Sequence, residues 1–170
     1  MKKQSFHFNT QLSIGQAGVR LAKMVLRAVY PKIKDLEKDR DAQKRGIDLY
    51  VQNLGYVEVK TDLHEPKNFF LELSSAGAPG AIDRSCADYF CIIFPYSRVI
   101  FLIERPYLQK WLRDNMCRSK KWIKHVKSRS DWNQWEAIGL VVPRRLLERD
   151  IDVAQIRWNE SDEIIEGVWK

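Results

Sequence analysis

The stretch GIDLYVQNLGYVEVKTD, residues 46–62, decides how the rest of the chain reads. Two runs rich in β-branched and aromatic residues, IDLYVQ and YVEVKTD, flank a Gly-containing turn at 53–55, which is the pattern of a β-hairpin. Residues i and i+2 of a strand share a face, so Glu58 and Lys60 point the same way and Val59 points the other. With the turn at 53–55, residues 50–52 are expected to pair roughly with 56–58. Asp48 then falls near Lys60 across the ladder, within reach of the Glu58/Lys60 face. A surface ion-pair cluster, worth at most about 1 kcal/mol, is one account of these charges. The other is a metal-dependent phosphodiester site. Two converging carboxylates suit Mg2+, a hard cation that prefers oxygen ligands. A neighbouring ammonium can orient water or steady the charge that builds on a phosphate.

Upstream, IGQAGVRLAKMVLRAVY (14–30) has the apolar spacing of a helix with a broad buried face, and Pro31 is expected to end it. Residues 32–46 are charged and read as a loop or a short helix. Downstream, NFFLELSS (68–75) reads as a strand, 76–85 as a Gly/Pro-rich loop with a short helix towards Ala87, and DYFCIIFP (88–95) as a near-continuous apolar, central strand. RVIFLIE (98–104) reads as a further strand, PYLQKWLRDNM (106–116) as a helix with proline at its first turn, AIGLVVP (137–143) as a late strand and RRLLERD as a short helix. DVAQIRWN reads equally as strand or loop. The order of elements predicts an α/β fold with a central mixed sheet flanked by helices.

The chain has 170 residues, 45% hydrophobic and 30% charged, which fits one domain. A formal net charge of +7 favours an anionic partner, of which nucleic acid is the commonest. Three cysteines (Cys86, Cys91 and Cys117) without a CxxC spacing point to a reduced, cytoplasmic protein lacking disulfides or a thiolate zinc site. The N-terminus begins with the lysines of a signal peptide, but no apolar segment follows, and no run reaches the ~20 apolar residues of a membrane span.

DAQKRGIDLYV followed by YVEVKTD resembles the core of the PD-(D/E)XK nucleases, the restriction-endonuclease-like fold, in its phage and mobile-element members. FFLELSSAGAPGAIDRSCADYFCIIFP resembles the segment that follows in that group, and the resemblance covers about residues 12–105. It implies that Asp48 and Glu58 are metal ligands, that the Val59 carbonyl adds a third, and that Lys60 is the catalytic lysine, with Mg2+ or Mn2+ as cofactor. Ile47 stands where the family's motif has proline. The family often carries a further glutamate on the first helix, where this chain has Gln16 or Val19; Gln16 would be a neutral replacement. The resemblance implies a DNA endonuclease, of sequence-specific homing or restriction type. The alternatives are a structure-specific junction resolvase, a phage repair nuclease or an inactive DNA-binding module. Duplex cleavage needs one site per strand, hence a homodimer or homotetramer.

Other residues come into consideration around this core. Gln43 would contact substrate or simply be a polar loop residue. Ser74 and Ser75 would meet phosphate or cap their loop. Glu72, next to the hairpin, would be an extra acid ligand or, as alternation favours, an exposed strand position. Arg84 would grip a phosphate. The stretch 118–130 carries Lys120, Lys121, Lys124 and Lys127 among tryptophans, either a solvated charged face or a DNA-binding or oligomerisation surface. His7, His64 and His125 show no metal spacing. A third class of reading is an interaction protein whose basic face meets an acidic partner.

Overall fold

The computed structural model describes residues 5–115, 121–129, 134–161 and 163–168. Its centre is a mixed seven-stranded sheet. In chain order the elements are β1 (Ser5–His7), α1 (Phe8–Arg27), β2 (Ile33–Asp35), α2 (Arg40–Lys44), β3 (Leu49–Val51) and β4 (Gly55–Thr61). They continue with β5 (Asn68–Ser75), β6 (Ala78–Pro79), α3 (Ala81–Arg84), β7 (Tyr89–Phe94), β8 (Val99–Glu104) and α4 (Arg105–Asn115). The last are β9 (Ile123–Arg129), β10 (Gln134–Pro143), α5 (Arg144–Asp150), β11 (Val153–Trp158) and β12 (Ile164–Val168). The main sheet runs β12-β11-β8-β7-β4-β3-β2, and a second sheet runs β1-β9-β10-β5-β6.

The fold is α/β as expected, with helices on both faces of the main sheet. Alternation along β7 and β8 explains this. Cys91, Ile93, Ile100 and Leu102 face one side and pack with Val19, Ala22, Val25 and Leu26 of α1. Phe90, Ile92, Phe94, Phe101 and Ile103 face the other and pack with α3, α4, α5 and the inner residues of β5 and β10. On that side Phe69, Phe94 and Phe101 are fully buried, with ring centroids 5.2–6.2 Å apart. Each such ring contributes about 1.5–3 kcal/mol by burial.

Helix α1 spans Phe8–Arg27 rather than 14–30. Its last turn tightens before Pro31, with Tyr30 N–H donating to Leu26 O at 2.7 Å. Gly18 lies where α1 meets β4: a Cβ there would sit 1.8 Å from Thr61 Oγ1. The charged stretch 32–46 contains the edge strand β2 as well as α2, which Asp39 caps by accepting the N–H groups of Asp41 and Ala42.

One expectation needs correction here. The strand of residues 68–75 does not neighbour the hairpin: β5 pairs with β10 and β6 in the second sheet, and β4 pairs instead, in parallel, with β7. A parallel neighbour requires a crossover, and β5, β6 and α3 are that crossover. The described part of the basic stretch holds strand β9, which pairs in a ladder with β10 and carries Lys124 on one face and Lys127 on the other. DVAQIRWN, open between strand and loop, is strand β11, which extends the main sheet beyond β8.

Among the described residues no helix is long and apolar enough to cross a membrane.

Candidate active site

The hairpin brings the two acids close enough for their charges to interact. Leu49 pairs with Val57 and Tyr50 with Tyr56, and Asp48, one residue outside β3, donates its N–H to Val57 O at 2.9 Å, so Asp48 lies at the Val57–Glu58 step of β4 rather than beside Lys60. The sequence-based pairing is off by two residues, which keeps the faces, because the turn occupies 52–54. Asn53 takes a left-handed φ of 69°, Leu54 N–H closes the turn onto Val51 O, and Gly55 already belongs to β4.

Asp48 stands one residue before β3, and its side chain does a backbone's work. Asp48 Oδ2 accepts the Val59 N–H at 2.7 Å, where a ladder carbonyl would otherwise stand. A strand residue directs its N–H and C=O to the same edge, so the Val59 carbonyl lies on the Asp48 side of β4. Gln43 holds the other side of the carboxylate: its Nε2 donates to Ile47 O at 3.0 Å and to Asp48 Oδ1 at 3.4 Å.

Glu58 is the more enclosed acid, with its side chain 5% exposed. Its Oε1 pairs with Lys60 Nζ at 2.5 Å, and Lys60 is 44% exposed, so the pair runs from the interior to solvent. Its Oε2 is buried and, among the described residues, has no hydrogen-bond partner. A buried oxygen left in this way costs free energy unless something fills the site.

Two distant loops form the wall beside that oxygen. Gly46 has φ +65°, and a Cβ there would sit 3.3 Å from Glu58 Oε2 and from Ser85 Cα. Buried Ser85 donates from Oγ to Gly46 O at 2.9 Å and accepts the Ala87 N–H at 3.1 Å, while Cys86 N–H donates to Arg45 O at 2.7 Å. This clasp fixes the loop before Asp48 against the strand that follows α3.

Burial pushes the Asp48 carboxyl above its ordinary value, and the nearby Glu58 charge adds to this. The Val59 N–H, Gln43 and Lys60 pull it back only in part. Glu37, after β2, is also raised, first by burial, then by Asp35, and in part by Asp48. Arg20 and Lys23 of α1 oppose that shift. The first helix therefore offers cations, not a carboxylate, to this side of the site.

The structure thus brings Asp48, Glu58, Val59, Lys60 and Gln43 together. Gln16 is exposed on α1, and Val19 is buried in the core beneath it. Ser74 stands in the second sheet between Pro79 and Ile138, not beside the hairpin. Glu72, expected to be exposed, is half-buried, and its Oε1 accepts the Ala81 N–H that starts α3. Arg84 is exposed at the end of α3. Lys121 lies over the Trp122 ring, Lys124 is exposed, and Lys127 pairs across the ladder with Glu136; Lys120 lies outside the described residues. Gly46 and Glu37 were not singled out from sequence, and Ser85 was noted only as a neighbour of Arg84 by the Gly/Pro loop. Only the glycine before the motif carried a local signal, since Ser85 reaches the site through a contact spanning 39 positions.

The residues present fit a divalent cation. Two carboxylates lie close enough for their charges to interact, one with an unpartnered buried oxygen and the other held above its ordinary proton affinity. Among the described residues the acids directly at the site are this pair, with no group of three or more His, Cys, Asp or Glu side chains gathered for a metal. Comparison with protein-family models, curated proteins and solved structures finds no match for this chain.

Proposed function

We propose that this chain is a metal-dependent endodeoxyribonuclease of the PD-(D/E)XK kind, hydrolysing phosphodiester bonds at Asp48, Glu58 and Lys60. The observation that carries the reading is the buried Glu58, near Asp48 and beside Lys60, with one carboxylate oxygen left unpartnered among the described residues. Burying two acids side by side opposes folding, and a solvent-exposed ion pair would not need it. A cation bound here would offset their mutual repulsion.

Asp48 and Glu58 would hold Mg2+ or Mn2+, with the Val59 carbonyl on the same edge. Bound there, the ion supplies Lewis-acid stabilisation of charge on the phosphate and lowers the pKa of water. Lys60, part exposed, reaches from Glu58 towards solvent and places its ammonium where a phosphate oxygen or attacking water would lie. Gln43 and the Val59 N–H fix the Asp48 carboxylate in place before any ligand arrives. The net charge of +7 suits a polyanionic substrate. Cleavage of both duplex strands would call for a homodimer or homotetramer.

Incubation of supercoiled plasmid and structured oligonucleotides with the purified protein and Mg2+ tests this. Nicked or linear products are expected, and they should disappear with chelator and with Glu58→Ala or Lys60→Ala. Cleavage that survives both substitutions removes these residues from the reaction. DNA binding without cutting in either Mg2+ or Mn2+ leaves a binding module of the same fold.

A further inference from the structure

One exposed feature next to the acids has no role in the chemistry described above. Tyr50 and Tyr56 pair directly across β3 and β4, one step along the ladder from Asp48 and Glu58. By alternation Tyr56 lies on the same face as Glu58, and Tyr50, its cross-strand partner, lies there too. Both are exposed, at 41% and 37%, and their rings meet edge to face with centroids 5.4 Å apart. Aromatic side chains on a sheet's working face are ordinarily covered, and on the central strands of this sheet Phe90, Phe94 and Phe101 are. The Arg45 guanidinium lies 5.7 Å from the Tyr56 ring centroid. Its main chain is pinned by the Cys86 N–H, its side chain is exposed, and among the described residues it forms no ion pair.

Two open rings and an uncompensated guanidinium suit a ligand with flat apolar faces and negative charge. A nucleotide is such a ligand. Aromatic rings stack on bases without regard to sequence, and arginine adds both charge and a planar surface. A step of two residues along a strand is about 6.7 Å, so the rings stand one short step from the acids. A base inside a paired duplex offers no open face, so the partner base must be unpaired.

We propose that Arg45, Tyr50 and Tyr56 form a platform for an unpaired nucleotide flanking the scissile phosphate. The chain then prefers DNA that is single-stranded or frayed beside the cut. The position relative to a scissile phosphate rests on the nuclease reading; the binding itself does not.

The test is fluorescence anisotropy with wild-type protein in chelator. Three labelled DNAs are compared: a fully paired duplex, the same duplex with a short unpaired flank, and a single strand. Wild type is expected to bind the two unpaired substrates about 10-fold or more tighter than the duplex. Tyr50→Ala/Tyr56→Ala should erase that preference, Tyr56→Phe should keep it, and Arg45→Ala should weaken all three affinities while keeping part of it. If the double variant does not fold, Arg45→Ala and Tyr56→Phe still decide, because both act at exposed groups. Equal binding of paired and unpaired DNA by wild type, or a double variant that retains the preference, overturns the platform. So does a double variant that changes sedimentation mass with DNA binding intact, which would make the tyrosines a contact between copies. Preference without cleavage in Mg2+ keeps the platform and removes the nuclease reading.

Discussion

The β3–β4 hairpin and the β9–β10 ribbon both carry charge on strands, and they treat it in opposite ways. On the ribbon, His125 and Glu136 approach to 3.3 Å with both side chains about half exposed, and Lys127 stands opposite Glu136. Water screens these groups, and Glu136 has the Lys127 ammonium across the ladder. On the hairpin, Glu58 is buried, Asp48 is close enough to feel its charge, and among the described residues Glu58 Oε2 has no hydrogen-bond partner. Similar separations thus describe two different situations. A cluster that solvent neutralises costs the fold little, whereas acids that the fold encloses are costly to keep charged, even with Lys60 beside Glu58.

The largest effect that would break this comparison is catalytic. Glu58→Gln keeps the shape of the side chain and should slow plasmid cleavage about 10²–10⁴-fold while shifting stability by less than about 1 kcal/mol. Glu136→Gln should alter neither. Equal cleavage by the two variants, followed by gel over time, would place them on the same footing and remove the distinction.

Next is the wall of the site. Gly46→Ala puts a Cβ on a left-handed residue, against Glu58 and Ser85. It should cost about 1–2 kcal/mol in urea unfolding. Gly139 on the ribbon is not an equal control, since a Cβ there would run into Phe70. Gly77, where a Cβ meets nothing, is exposed and shares the positive φ, so its substitution isolates the backbone part.

A divalent cation should then act on the hairpin alone. At 10 times its Kd, Mg2+ should stabilise wild type by about 1.4 kcal/mol, or roughly 3–5 °C in a thermal melt. Asp48→Asn should show no such shift. Without metal, pH supplies the sign. Because burial raises Asp48 above its ordinary value, the unfolded chain releases that proton first as pH climbs. The native state then holds more protons, and stability falls until native Asp48 has also ionised. Asp48→Asn should flatten this decline and be at least as stable as wild type near neutrality. A wild-type profile that rises over the same range would contradict the buried-acid picture.

The smallest effects belong to the ribbon. Lys124→Ala and Lys127→Ala should each stay within about 0.5 kcal/mol of wild-type stability. If the ribbon touches DNA, each should lower the slope of log affinity against log salt by about 1. An unchanged slope would restrict DNA contact to other surfaces.

Much of the hairpin was legible because its signals are local. Alternation placed Glu58 with Lys60, and β-branched residues around a glycine turn marked the strands. The register slipped by two residues because a turn at 52–54 and one at 53–55 fit the same residues, and only the φ of Asn53 and the bond from Leu54 to Val51 choose between them. The central position of β7 was readable from its continuous apolar run. The partner of β5 was not, since β10 lies far along the chain and both alternate in similar ways. The strand nature of β9 was hidden by its lysines, which ladder pairing tolerates at an exposed position. Ser85 and Glu37 reach the acids only through tertiary contacts, so no spacing could have announced them.

Strand β8 has one neighbour close in sequence, β7, and another, β11, that follows only after α4, the second-sheet ribbon and α5. During synthesis on a ribosome, the acidic hairpin, β7 and the clasp can all assemble while that flank of β8 is still bare. Its five apolar residues, Val99 to Ile103, then present an open row of amides to any other extended chain. A nascent chain paused before residue 153 should therefore be a chaperone client and prone to self-association, although its candidate catalytic half is already made.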